Sequence, residues 1–300
     1  MKGIILAGGA GTRLYPLTIV TSKQLLPVYN KPMIYYPLST LMLARIREVL
    51  VISTPEDTPR ISQLLGDGSQ LGMHLEYAVQ EKPEGLAQAF TIGRDFIGDE
   101  CCAMVLGDNI FYGNGLGAKL SAAVRNAEDG QATIFGYYVE DPERFGIMEF
   151  KIGDRSDPDD IRVLSVEEKP AKPKSNYAIV GLYVYPKGVS DMAAQVRPSA
   201  RGELEITSLN ELYLNEGRLK AQLLGRGFTW MDAGTFYSLR RATNFVCMVE
   251  QYQGMVVSAP EEIAYRFHWI NKDQLLMSAE RYGKSPYGEH LRAVADGKVL

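Results

Sequence analysis

LAGGAGTRLYPLT, residues 6–18, joins an apolar run to a glycine turn and then to an arginine. Residues 3–7 predict a short buried strand. Gly8, Gly9 and Gly11 then form a turn in which backbone can lie close against a ligand. Amides exposed in such a turn point at phosphate oxygens, and Arg13 just beyond adds a planar cationic fork suited to an anionic group. Two familiar phosphate loops do not fit. Gly11-Thr12-Arg13 lacks the Gly-Lys-Ser/Thr ending of a Walker A loop. A dinucleotide fingerprint begun at Gly9 finds its second glycine at Gly11 but meets Leu14 where the third belongs. A glycine-rich turn can also be no more than a turn. Arg13 followed by Lys23, in a segment shaped by Pro16, Pro27 and Pro32, favours the phosphate cradle.

Downstream, residues 31–49 carry apolar side chains at helical spacing, and VLVIS (49–53), HLEYAV (74–79) and CCAMVL (101–106) read as further buried strands. Helices are expected over 59–65 and 86–96. Strands alternating with helices predict an α/β fold, a Rossmann-like, mostly parallel central sheet flanked by helices. Ligands in such sheets sit beyond the carboxyl ends of the strands. Residues 8–13, 80–85 and 107–109 each follow a predicted strand, so all three are expected to face one crevice.

From about residue 131 the text becomes strand-rich: ATIFGYYV (132–139), IMEFKI (147–152), RVLSVEE (162–168) and YAIVGLYVY (177–185). This part is expected to form a smaller mixed sheet against the first half. The acidic, turn-rich run 153–160 reads as a solvated loop. A helix over 203–214, a strand at KAQLL (220–224) and a long helix over 234–249, with Met and Phe on its apolar side, follow. Three start signals mark the tail: Ser258 with Glu261, Asn271 with Gln274, and Ser285 before Pro286. The expected organisation is a core over 1–240, divided near residue 130, and a helical appendage over 241–300 packed on the core.

The 300 residues, 46% of them hydrophobic, suffice for one large domain with an appendage. A net charge of −4 argues against a nucleic-acid partner, which demands a basic face. No apolar stretch reaches membrane-spanning length, and no signal-peptide pattern opens the chain. Cys101, Cys102 and Cys247 are odd in number and lack zinc spacing, so they read as reduced thiols of a cytoplasmic protein.

The longer pattern GGAGTRLYPLTIVTSKQLLPVYNKPMIYYPL (8–38) closely resembles the signature of the sugar-1-phosphate nucleotidylyltransferases. EKPEGLAQAF (81–90), VLGDNIFYG (105–113), ERFGIMEF (143–150), EEKPAKPKSNYAIVGLYVY (167–185), RGELEITSLN (201–210) and RGFTWMDAGTF (226–236) are similar to the thymidylyltransferase branch of that family. The matches run in family order from Gly3 to about Phe236. The resemblance implies transfer of a thymidylyl group from dTTP to glucose 1-phosphate, giving dTDP-glucose and pyrophosphate, with Mg²⁺ as cofactor. It further implies a homotetramer and makes residues 131–240 the sugar-binding half.

Asp108 and Asp232 share one setting, an apolar strand, then Asp, then a glycine nearby. Hard carboxylate oxygens there suit Mg²⁺, although an Asp beside glycine is equally a turn cap; the resemblance makes the pair the metal ligands. An anionic sugar phosphate attacking an anionic triphosphate meets repulsion first, so cations rather than a general base are needed. His74, His268 and His290 all lie outside the matched motifs. The resemblance assigns catalysis to Arg13, Lys23 and Lys169. Isolated lysines are more often surface charges.

By the same resemblance Leu6, Gly8, Gly9, Gly11, Thr12, Arg13, Gln80, Gly85 and Asp108 bind the nucleotide. An amide such as Gln80 both donates and accepts, as a pyrimidine edge requires. Leu86, Gly146, Glu168, Lys169, Asn176, Ile179, Tyr183 and Arg201 fall on the sugar-phosphate side. Ile179 and Tyr183 also suit strand packing, and Arg201 a helix start with balanced charges. Ser208 stands where the family commonly has Asp. Residues 260–266, with Ile263 and Arg266, resemble a segment used in a regulatory nucleotide site between subunits, although Phe267-His268-Trp269 departs from it. Competing readings are UTP or another hexose 1-phosphate as substrate, a nucleotide-sugar glycosyltransferase, and a non-catalytic nucleotide-sugar sensor. A single methyl group separates thymine from uracil weakly, by about 1 to 3 kcal/mol.

Overall fold

Successive residues of a strand point to opposite faces, and in this chain both faces of the central strands are apolar. The computed structural model, which describes residues 1–9, 11–153 and 160–299, accordingly buries the sheet between two layers. Its strands are β1 (Lys2–Leu6), β2 (Pro27–Val28), β3 (Lys31–Pro32), β4 (Glu48–Ser53), β5 (His74–Val79), β6 (Cys102–Leu106), β7 (Asn109–Gly113), β8 (Ala132–Tyr138), β9 (Gly146–Ile152), β10 (Ile161–Glu168), β11 (Tyr177–Tyr185), β12 (Leu219–Leu223) and β13 (Phe228–Asp232). The helices are α1 (Tyr35–Leu43), α2 (Thr58–Leu65), α3 (Gln88–Ile92), α4 (Arg94–Ile97), α5 (Leu116–Glu128), α6 (Val189–Ala193), α7 (Ile206–Asn215), α8 (Phe236–Gln253), α9 (Pro260–Arg266), α10 (Lys272–Arg281) and α11 (Pro286–Ala295).

Strands β6, β1, β4 and β5 run parallel, as the alternating pattern requires. Ile5, Val49, Val51, Ala103 and Val105 face one layer, which contains α1, α2, α5, α10 and α11. Ile4, Leu6, Leu50, Ile52 and Met104 face the other, built on Phe90, Ile97, Val189, Leu209 and Tyr213. The strand-rich second half does not form a sheet of its own. Instead β11 pairs antiparallel with β6, then β9 and β10 extend the edge, while β8 and β12 branch from β11. A separate two-stranded ribbon pairs β7 with β13.

Residues 31–49 are helical only over α1, since a β2–β3 hairpin takes the beginning and Arg45, at φ 63°, ends the helix. The helix expected over 86–96 breaks at Gly93, where a Cβ would meet Ile4 and Leu50 of the sheet at 3.2 Å. In the tail Asn271 with Gln274 and Ser285 with Pro286 cap α10 and α11. Ser258 does not cap α9; the N-cap is Ala259, with Pro260 opening the helix. On α8 Ala242 and Val246 are buried and Phe245 packs against their cluster as expected, whereas Phe236 and Met248 face outward. The loop expected over 153–160 lies, apart from its two ends, outside the described residues.

Candidate active site

The carboxyl ends of β1, β5 and β6 open into a cleft of about 400 Å³, closed on the far side by β13, the β10 end and the start of α7. Gly8, Gly9 and Arg13 come from the turn after β1, Gln80, Gly85 and Leu86 from the segment after β5, and Asp108 from the end of β6. Leu6, Lys23, Gly146, Glu168, Lys169, Ile179, Tyr183, Arg201 and Asp232 line it as well. Three of the residues expected on the nucleotide and sugar sides, Gly11, Thr12 and Asn176, do not, and Ile263 and Arg266, expected at a separate regulatory site, lie elsewhere. Gly11, left-handed at φ 59°, and Thr12 turn the chain behind the loop, where Gly11 O accepts a 2.7 Å bond from Thr18 Oγ1. Asn176 is spent on architecture, its Nδ2 donating to Val139 O at 2.9 Å. Ile263 and Arg266 sit on α9, where Arg266 Nε donates to Glu262 Oε1 at 2.7 Å.

The two aspartates are brought together by the ribbon. Asp232 is the cross-strand partner of Asn109, and Ala233 N donates to Asp108 O at 3.0 Å. Asp108 is only 8% exposed; Lys23 pairs with one of its oxygens and Asn109 Nδ2 donates to the other at 2.9 Å. Burial alone would raise the Asp108 carboxyl, but the Lys23 charge and these hydrogen bonds outweigh it and hold the group below the usual carboxylate range. Asp232 goes the other way. Burial and then the charge of Asp108 raise it, against Lys23, Arg13 and the Gly234 amide. The Arg13 guanidinium reaches the same corner, with Nη2 and Asp232 Oδ1 each 2.9 Å from where a Cβ on Gly234 would stand.

On the opposite wall Lys169 has φ 43°, a conformation a side-chain-bearing residue rarely adopts, and its amide is tied to Phe145 O at 3.0 Å. Glu168 Oε2 accepts a 2.5 Å bond from Thr207 Oγ1, and its other oxygen lies 3.6 Å from Lys169 Nζ. Arg201 lines the cleft while paired with Glu203 at 2.6 Å and Glu205 at 3.2 Å. Residues 201–205 are non-helical rather than the helix start expected there, since α7 begins only at Ile206. Burial, reinforced by Glu168, pushes the Tyr183 hydroxyl up, leaving it a neutral donor.

A comparison with known proteins places this cleft in context. A nucleotidyl transferase family model matches residues 2–248. Glucose-1-phosphate thymidylyltransferases of Xanthomonas campestris pv. campestris and Mycolicibacterium smegmatis are each 53% identical, over 98% and 99% of this chain and 97% and 99% of their own. The chain belongs to the glucose-1-phosphate thymidylyltransferase family. A Bacillus anthracis protein described as a member of that family, solved with sucrose, matches at TM-score 0.70 and 39% identity, over 82% of this chain and 94% of its own. A UDP-glucose pyrophosphorylase solved with UDP-glucose shares the fold at TM-score 0.72 and 20% identity, over 84% of this chain and 98% of its own.

Several cleft residues escape a reading of residue types. Trp230 looks like strand packing, yet its Nε1 donates to Asn109 Oδ1 at 2.6 Å, and Gly181 N donates to the same oxygen at 3.1 Å. This node joins β7, β11 and β13 beneath the cleft. Gln24, Arg144, Phe145 and Thr207 also line it. The available signal was position, since Trp230 and Thr207 lie inside the family motifs carrying Asp232 and Arg201.

Proposed function

We propose that the protein transfers the thymidylyl group of dTTP to α-D-glucose 1-phosphate, releasing dTDP-glucose and pyrophosphate. The observation that carries this reading is the convergence of Arg13, Lys23, Asp108, Lys169 and Asp232 on one cleft. The names of the relatives support the choice of substrates. A phosphate oxygen of the sugar forms a bond to the α-phosphorus while the bond to the bridging oxygen breaks, and pyrophosphate leaves with that electron pair. The nucleophile is already ionised, so no base is required. Arg13 holds the β and γ phosphates and favours the departing charge. Lys23 receives phosphate on the attacking side, Lys169 clamps the sugar phosphate, and Glu168 accepts from sugar hydroxyls.

Asp108 and Asp232 would hold Mg²⁺. Two adjacent carboxylates, Asp108 buried and Asp232 partly buried, the second raised by burial and then by the charge of the first, form a hard anionic pair that suits such an ion. Among the described residues no third acidic or histidine side chain completes a cluster with them, leaving further positions to phosphate and water. When bound, the ion neutralises phosphate charge.

Pyrophosphate release tests the reading. It should require dTTP, glucose 1-phosphate and Mg²⁺ together and fall by about 100-fold or more in Asp108→Asn. No release with any pyrimidine triphosphate and hexose 1-phosphate would overturn the reading in favour of the sensor. We further infer a cytoplasmic homotetramer with a regulatory nucleotide site near Ile263 and Arg266. Among the described residues no helix is long and apolar enough to cross a membrane, and exposed Phe236, Tyr237, Met248 and Tyr252 on α8 support assembly. Unchanged turnover with added dTDP-sugar end product would count against that site.

A further inference from the structure

A glutamine amide carries a donor at one end and an acceptor at the other, and its partners decide which way it points. Around Gln80 that decision starts at a carboxylate, which can only accept. Gln88 Nε2 donates to Glu84 Oε2 at 2.8 Å. Gln88 Oε1 therefore faces two donors, Glu84 N at 3.2 Å and Gln80 Nε2 at 2.6 Å. With its nitrogen given to Gln88, Gln80 turns Oε1 towards Gly8, where a Cβ would lie 2.2 Å from it. Gln80 and Gly8 line the cleft and Gln88 does not. Gln80 is 4% exposed, and among the described residues nothing donates to its Oε1.

We propose that Glu84 and Gln88 lock the Gln80 amide in the orientation that reads thymine or uracil and refuses cytosine. The inference rests on the pyrimidine-nucleotide reading above and makes Gln88 a positioning residue. Thymine and uracil present N3–H, a donor, flanked by carbonyl oxygens. They match an acceptor Oε1 beside the second Nε2 hydrogen. Cytosine presents an unprotonated N3 beside an amino group and needs the amide reversed. A free glutamine would simply turn over. Here reversal sets Gln80 Oε1 against Gln88 Oε1. Gln88 cannot follow, because its oxygen would then face the Glu84 carboxylate.

The test is calorimetric binding of dTTP and dCTP, which does not depend on turnover. In Gln88→Met the preference for dTTP over dCTP should fall about 10-fold or more. The exchange Glu84→Gln with Gln88→Glu keeps an acceptor facing Gln80 and should retain the wild-type preference. Should Gln88→Met not fold, Gln88→Ala, which likewise removes the acceptor facing Gln80 Nε2, gives the same comparison and the same expected direction. An unchanged preference on breaking the relay, equal weakening of both nucleotides, or loss of preference in the exchange variant would overturn the lock. So would a wild-type protein that binds both nucleotides equally. That outcome leaves the transferase reading standing on its own pyrophosphate assay, whereas binding of neither nucleotide would sink both.

Discussion

Gly8 and Gly85 both line the cleft, yet alanine at the two positions should fail in different ways. At Gly8 an added Cβ would stand 2.2 Å from Gln80 Oε1 and 3.4 Å from its Cδ, with no other heavy atom of the described residues, its chain neighbours aside, inside 4 Å. The backbone there is not left-handed, so alanine strains nothing locally. Gln80 must swing aside and lose its bond to Gln88, worth about 1 kcal/mol. The reduced freedom of the unfolded chain returns about 0.4 to 1 kcal/mol. Stability should therefore stay within about 1 kcal/mol of wild type. Base reading should suffer more. Losing a paired contact worth about 1 to 3 kcal/mol weakens dTTP binding by roughly 10- to 100-fold. At Gly85 the φ is +121° and the Cβ would meet Leu204 O, N and C at 2.4, 2.5 and 2.7 Å. Those are backbone atoms held by the 2.6 Å Leu204 N to Glu84 O bond and the 3.1 Å Ala87 N to Leu204 O bond. They cannot step aside, so Gly85→Ala should lose about 3 kcal/mol or more of stability. Urea unfolding and dTTP calorimetry on both variants separate the two cases. Wild-type dTTP affinity in Gly8→Ala, or equal destabilisation of the two variants, would refute the reasoning.

Lys31, 4% exposed, is pulled down to about 8 by burial, against the raising effects of Glu250 and Glu261. Its folded value lies below its ordinary 10.5, so the unfolded chain binds more protons between the two and stability rises with pH across that window. The contribution is about 3 kcal/mol. The rise should vanish in Lys31→Met when unfolding free energies of both proteins are followed from pH 7 to about pH 10.5. Asn271→Ala removes half of the reciprocal cap at the start of α10 and should cost about 1 kcal/mol in urea unfolding, with little change in nucleotide affinity. Trp230→Phe deletes the donor to Asn109 Oδ1 and should cost about 1 kcal/mol of stability while lowering turnover, read by pyrophosphate release.

The parallel half was legible because β1, β4 and β6 are largely continuous apolar runs separated by helical spacing, a local pattern, whereas β5, expected to be buried, is an edge strand with His74, Glu76 and Val79 exposed. The union of the two halves was not legible. Nothing within residues 177–185 says that β11 will choose β6 as its neighbour, since pairing between distant strands has no local signature. The same limit explains Gly93, whose cost to the helix is visible in sequence but whose reason, close approach to Ile4 and Leu50, is tertiary. Ser258 shows the converse. Its spacing to Glu261 satisfies the capping rule, but the residue adopts φ 54° and Pro260 opens the helix instead. In the cleft, Arg13, Lys23, Asp108, Lys169 and Asp232 were singled out by their motif context, because residue type alone fits a turn cap or a surface charge equally well. Asn176 and Trp230 were less legible because an amide and an indole serve architecture and ligand equally well, and sequence alone does not show their partners.

The β11–β6–β1 pairing also governs how the molecule can move. Hydrogen bonds run without a break beneath both the nucleotide side and the sugar side of the cleft. A hinge between the two sides would have to tear ladder bonds, unlike the closure of two domains joined by flexible linkers. The floor is thus a fixed datum, and substrates are brought into line by side chains and turns that settle onto it. Stiffness of this continuous sheet should then help keep attacking and leaving oxygens collinear, with motion expected in the side chains and turns of the rim.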